Sequence, residues 1–137
     1  MSASPFIIIA IDGGAASGKS SSSRILAERF NLLHVDTGSF YRHITSEFLR
    51  RGVPHADLAA IKATLPQLDF STRLGGRSAQ MLIGGQPAGD EIRDQRVNEH
   101  VAHYASIPEV REKLIGYQRD QVNVAKQHGF RGLVMEG

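Results

Sequence analysis

Cysteine is absent from the 137 residues, which excludes disulfides and thiolate metal sites within them. Long apolar runs are absent as well. The run at residues 6–11 (FIIIAI) has no basic stretch ahead of it and breaks off at Asp12. That is too short for a signal peptide or a membrane span, so the expected setting is the cytoplasm, with no membrane partner. Lysine is scarce, four residues against twelve arginines, and the formal net charge is only +2. So small an excess does not describe a nucleic-acid surface, and no nucleic-acid partner is expected. Arginine, however, presents a planar fork of donors that matches phosphate oxygens. An arginine-rich chain can hold anionic ligands in a concave site without being strongly basic; solvated surface arginine is the plain alternative. Repeats and low-complexity tracts are also missing.

What is present is ordinary for a globular protein: 41% hydrophobic and 22% charged residues, at a length suited to one domain. Residues 6–11 form a continuous β-branched run, the pattern of a strand buried on both faces. A helix is expected from Ser20, with Ile25, Leu26 and Phe30 as its apolar face. A short strand at 32–35 follows, then a helix from Ser39 with Tyr41, Ile44 and Phe48 at helical spacing, stopped at Arg51-Gly52. Strand, helix, strand, helix argues for a parallel sheet. Leu58, Ile61 and Leu65 predict a short helix ended by Pro66. Residues 68–74 and 78–83 around Gly75-Gly76-Arg77 predict a β-hairpin, read as a surface insertion, with 84–87 as a loop. Two helices follow. Val97, Val101 and Tyr104 share a face of the first; Pro108 lies early in the second, which Gly129 stops. The last stretch, 132–137, reads as another buried strand.

Gly13-Gly14-Ala15-Ala16-Ser17-Gly18-Lys19-Ser20 matches the phosphate-loop pattern G-x-x-x-x-G-K-[ST] in full. A triphosphate is a dense negative charge that water solvates well. A loop competes by turning successive backbone N–H groups inward, which requires small residues; those between Gly13 and Gly18 are all Gly, Ala or Ser. The following helix adds its positive N-terminal end. Lys19 is expected on the β- and γ-phosphates of ATP, and the Ser20 hydroxyl on Mg²⁺. A glycine-rich turn with a solvated lysine is the bland alternative, and the flanking strand and amphipathic helix argue against it.

Asp36-Thr37-Gly38-Ser39-Phe40-Tyr41-Arg42 follows the second strand and opens a helix. From spacing alone, Thr37 is either a ligand contact or a helix cap, and Arg42 either a phosphate contact or a solvated charge. This block, together with the phosphate loop, Asp90-Glu91-Ile92-Arg93, Val110-Arg111-Glu112, Gln118-Arg119 and Met135-Glu136-Gly137, resembles the cytidylate kinase family in order and spacing along nearly the whole chain. The D-T-G…Y-R and E-I-R blocks are far more specific than the phosphate loop, and they separate this family from adenylate and shikimate kinases.

The resemblance implies an α/β fold of the P-loop NTPase type: a parallel sheet flanked by helices, with a small hairpin insertion at about 53–93 that binds the nucleoside monophosphate. The reaction it implies is transfer of the ATP γ-phosphoryl group to CMP or dCMP, with Mg²⁺ as cofactor. Thr37, Tyr41 and Arg42 would hold the monophosphate, with Arg42 on its phosphate and Arg111 at the same site. Glu136 falls where the family uses an acidic residue near the cytosine. Arg93 either contacts ligand or fixes the hairpin through an ion pair. Lys19, Arg42 and Arg111 are the catalytic candidates, and residues 13–21 the nucleotide cradle.

Two departures from the family pattern are mild: Gly14 stands where proline is common, and Ser21 replaces a frequent threonine, keeping the hydroxyl. The third is larger. The family continues past the Glu-Gly step with Arg-Asp, further elements and an arginine-bearing lid. The expectation is therefore one truncated kinase domain with an incomplete sheet, weak or inactive alone and monomeric at full length. Another small-molecule P-loop kinase and a nucleotide-binding fragment without catalysis stay open as rivals. His100 and His103, one helical turn apart beside Glu99, are expected to be helix-surface residues and not metal ligands.

Overall fold

The structure is a computed structural model that describes residues 5–12 and 19–137. In chain order it contains β1 (Ile7–Ile11), α1 (Lys19–Phe30), β2 (Leu32–Asp36), α2 (Thr37–Arg50), α3 (Leu58–Thr64), β3 (Phe70–Gly75), β4 (Ser78–Ile83), β5 (Gln86–Pro87), α4 (Gln95–Ala105), α5 (Pro108–Gln127) and β6 (Gly132–Glu136). The fold class is α/β, a mostly parallel open sheet flanked by helices, with strand order β1-β6-β2-β4-β3 and β5 on β4. Contacts divide the chain into two compact units. One takes in the chain up to Gly38, Thr72–Gln80 and Gln118–Gly137; the other takes in Ser39–Ser71 and Met81–Tyr117.

The first unit is built on three parallel strands. β6 lies between β1 and β2, in register from Ile7, Gly132 and Leu32 at one end to Ile11, Glu136 and Asp36 at the other. Leu32, Leu33, Val35, Leu133 and Val134 are fully buried, as expected of central parallel strands. Gly132 is required where it stands, because a Cβ there would run into the backbone of Ile7. α1 packs on β2 and β6. The helix α5 ends in a left-handed Gly129 (φ 78°), whose N–H bonds Lys126 while Phe130 N–H bonds the Ala125 carbonyl. This closes the last turn and satisfies carbonyls that the helix leaves open.

Several expectations change here. β1 was expected to be buried on both faces, but β6 is its only neighbour among the described residues, and Ile8 is 60% exposed. On α1, Ile25 and Phe30 face outward; Ser23 and Ala27 form the buried contact, with Leu26 packed beside it. Small residues let the helix lie close to the strands, and the larger ones are left outside. The hairpin, expected on the surface, joins the sheet: β4 runs parallel to β2 through the His34–Ser78 pair.

The second unit packs around aromatic side chains. Phe48 stacks on Tyr104 at 5.2 Å, and the Tyr104 hydroxyl donates to the Val53 carbonyl at 2.6 Å. Phe40 meets Tyr117 edge-on at 5.1 Å, and the Tyr117 hydroxyl donates to Ser71 at 2.9 Å. Each buried ring keeps its polar tip satisfied. α3 is capped by Asp57, whose carboxylate accepts from Ala60 N–H at 3.1 Å. Pro66 ends the α-helix as expected, yet a 3₁₀ turn (Leu65–Gln67) carries straight on across it. Gln86 and Pro87, expected as loop, pair antiparallel with Ile83 and Leu82.

Candidate functional site

Parallel register brings the ends of three strands together. Ile11, Glu136 and Asp36 lie side by side at the carboxyl edge of the sheet, where open α/β folds bind ligands. The phosphate-loop motif leaves β1 at this edge and enters α1 at Lys19, so it has the strand and helix it requires on either side. The cradle residues Gly13, Gly14, Ala15, Ala16, Ser17 and Gly18 lie outside the described residues; Lys19 and Ser20 open α1, and Ser21 is exposed in its first turn.

Thr37 begins α2 directly after β2, two residues earlier than the expected helix start. Its hydroxyl donates to the backbone carbonyl of Glu136 at 2.9 Å, so two expected site residues are joined directly. The Glu136 side chain is 2% exposed and turns inward: its Oε1 lies 2.8 Å from His34 Nε2. The other ring nitrogen, Nδ1, lies 2.9 Å from Ser78 Oγ. Strand alternation explains the grouping. His34 and Asp36 share a face of β2, Asp36 is level with Glu136, and Ser78 is level with His34. Val134 shares that face with Glu136 and packs with Ala27 of α1, so this is the face that α1 covers. A cavity of about 310 Å³ opens beside the pair, lined by Arg24, Ala27, Glu28, Arg77, His34 and Ser78.

The remaining expected residues lie in the second unit. Tyr41 is half-buried on α2, and its carbonyl accepts from the Thr45 hydroxyl at 2.7 Å. Arg42 on α2, Arg93 in the 3₁₀ turn Asp90–Arg93, and Arg111 in the first turn of α5 are all exposed. Among the described residues none of these three guanidinium groups forms an ion pair. Among the described residues, then, Arg93 has no ion-pair partner. Glu47, one turn beyond His43, is the residue that gathers arginine. Burial pushes its carboxyl up, but hydrogen bonds from Arg51 (2.6 Å) and Arg50 outweigh this and hold it below the usual carboxylate range.

His34 and Ser78 were not singled out from the sequence. The usable signal was a lone polar residue in the otherwise apolar run Leu32-Leu33-His34-Val35, since buried polar groups in central strands need partners. His103 stacks on His55 at 4.3 Å, and among the described residues no group of three side chains is placed to hold a metal ion. No described helix is long and apolar enough to cross a membrane.

Residues 9–137 match the sequence model of the family described as cytidylate kinase. The chain is 37% identical over 131 residues to a cytidylate kinase of Rhodococcus jostii (strain RHA1), an alignment covering 96% of this chain and 55% of that protein. It is 39% identical over 113 residues to one from Corynebacterium efficiens, covering 82% and 49%. For one from Caldicellulosiruptor saccharolyticus, identity is 34% over 131 residues, covering 96% and 55%. The chain spans about half the length of the curated relatives it matches.

Proposed function

The chain belongs to the cytidylate kinase family, and from that premise we propose that it carries the nucleotide-binding part of an enzyme that transfers the γ-phosphoryl group of ATP to CMP or dCMP. One observation carries the reading. The phosphate-loop motif and the Asp36-Thr37-Gly38 block leave strands that end side by side, in register with Glu136 between them. Donor and acceptor motifs thus start from one edge of one sheet, as a reaction between two phosphates needs.

In this reading the region 1–137 is one kinase domain, with 53–93 as the acceptor-binding insertion. The amides of 13–18 and the Lys19 ammonium neutralise the β- and γ-phosphates, Ser20 supplies an oxygen ligand to Mg²⁺, and Ser21 adds a hydroxyl to the cradle. Magnesium, when bound, would draw charge off the phosphates; the strand–motif–helix context and the acidic strand ends fit such an ion. Thr37, Tyr41 and Arg93 position the monophosphate, and Arg42 and Arg111 neutralise its phosphate, which suits exposed guanidinium groups that form no ion pair among the described residues. We assign Glu136 to the magnesium-nucleotide end of the site, because its carboxylate is turned inward on the α1 face. Positioning and charge neutralisation dominate, so no strong base is required. A monomeric cytoplasmic enzyme suits this chemistry.

Calorimetry on the purified chain tests the reading. ATP should bind with a magnesium dependence, and Lys19→Ala should weaken that binding at least about tenfold, the scale of one lost charge-assisted contact. Unchanged affinity in Lys19→Ala would remove the basis of the proposal. Among monophosphates, CMP or dCMP should bind in preference to AMP and UMP; an equal response to all four would refute the cytidine assignment.

A further inference from the structure

Three neighbouring strands each contribute one residue to a buried polar chain: Ser78 from β4, His34 from β2 and Glu136 from β6. The His34 and Glu136 side chains are 7% and 2% exposed. Burying an imidazole and a carboxyl in a parallel sheet is costly unless each is hydrogen-bonded, and here each is. The chain also has a direction. An ionised carboxylate only accepts hydrogen bonds, so with Glu136 in that form Nε2 of His34 carries the hydrogen. In the neutral ring Nδ1 is then an acceptor, and the Ser78 hydroxyl donates to it.

The result is a carboxylate held at two points. Its Oε1 is fixed by the imidazole, and the peptide that carries it is fixed by the Thr37 hydroxyl. Glu136 is level with Ile11, the last residue of β1 before the phosphate-loop motif, and faces the side of the sheet that α1 covers. We propose that His34, seated by Ser78, is a positioning residue that holds the Glu136 carboxylate in place for the magnesium nucleotide. This rests on the nucleotide reading above. A purely structural role, a polar plug joining three strands, is the competing account.

A double-mutant cycle on the 137-residue chain separates the two. Affinity for a non-hydrolysable ATP analogue is measured by calorimetry, with magnesium and with EDTA, for the parent chain, His34→Leu, Glu136→Gln and the double variant. Positioning predicts that His34→Leu weakens the magnesium-dependent binding about tenfold, the usual scale for losing a partner behind a ligand group. The EDTA affinity should be unchanged, and His34→Leu should cost nothing further in the Glu136→Gln background. His34→Gln, whose amide can donate to Glu136 and accept from Ser78, should restore the parent affinity. Nitrogen-15 spectra of the parent chain should show His34 with its hydrogen on Nε2, a readout that needs no variant to fold, and Ser78→Ala should disturb that signal. An Nδ1–H tautomer, an unaltered affinity in His34→Leu, or an equal loss in both backgrounds would each overturn the proposal while leaving nucleotide binding intact. Failure of the parent chain to bind the analogue would instead sink the nucleotide reading, and this inference with it.

Discussion

His43, one residue past Arg42, is 6% exposed, and its Nδ1 has no hydrogen-bond partner among the described residues. Burial pushes its imidazole below the ordinary value, against the opposing pull of Glu47, Glu91 and a hydrogen bond to the Met81 backbone. The unfolded chain therefore takes up a proton near pH 6.5, a proton that the folded chain resists. Between those two states the unfolded one binds more protons, so stability falls as the pH drops through that window. The urea midpoint should decrease from about pH 7.5 to about pH 5.5, and His43→Gln should flatten the decrease. Parallel curves for the two proteins would contradict this account. Glu47 acts in a more acid window. Its depressed carboxyl stabilises the fold at neutral pH and loses that contribution only as the carboxylate range is crossed downward.

At the scale of elements, β6 decides whether β1 joins the sheet, because among the described residues β1 and β2 meet only through it. Gly132 lets its first residue approach Ile7. Gly132→Ala should cost about 2 kcal/mol by forcing the strands apart, read as a lower urea midpoint at an unchanged slope. An unshifted midpoint would mean that the strands separate at no cost. Which elements form was readable from local signals: the β-branched run of β1, Pro108 at the head of α5, and Gly129 at its end. Which face of each element is buried was not, because that depends on neighbours distant in sequence. Ile25 and Phe30 have the spacing of an apolar stripe, yet Ser23 and Ala27 carry the close contact. Likewise the phosphate motif was legible from spacing, whereas spacing left Thr37 open between helix cap and ligand contact and only the family resemblance favoured the latter. The Ser78–His34–Glu136 chain needed a hairpin placed against β2, which no pattern within either segment announces.

At the scale of the molecule, ligand binding and folding are linked. If residues 13–20 hold a magnesium nucleotide only in the folded chain, ATP at one hundred times its Kd should add about 2.7 kcal/mol of stability. A rise of several degrees in Tm that vanishes with EDTA is the expected observation. A melt unmoved by saturating Mg·ATP would argue that the motif takes up no nucleotide in the folded state.

Strand order also has a bearing on how the protein is made. The strand that joins β1 to β2 is synthesised after both: residues 132–136 leave the ribosome only once α1 to α5 have been made. Until then β1 has no strand partner among the described residues and β2 has only β4, so apolar strand residues stay uncovered in the nascent polypeptide. A chain ending a few residues short of Gly132 would lack the strand through which β1 joins β2.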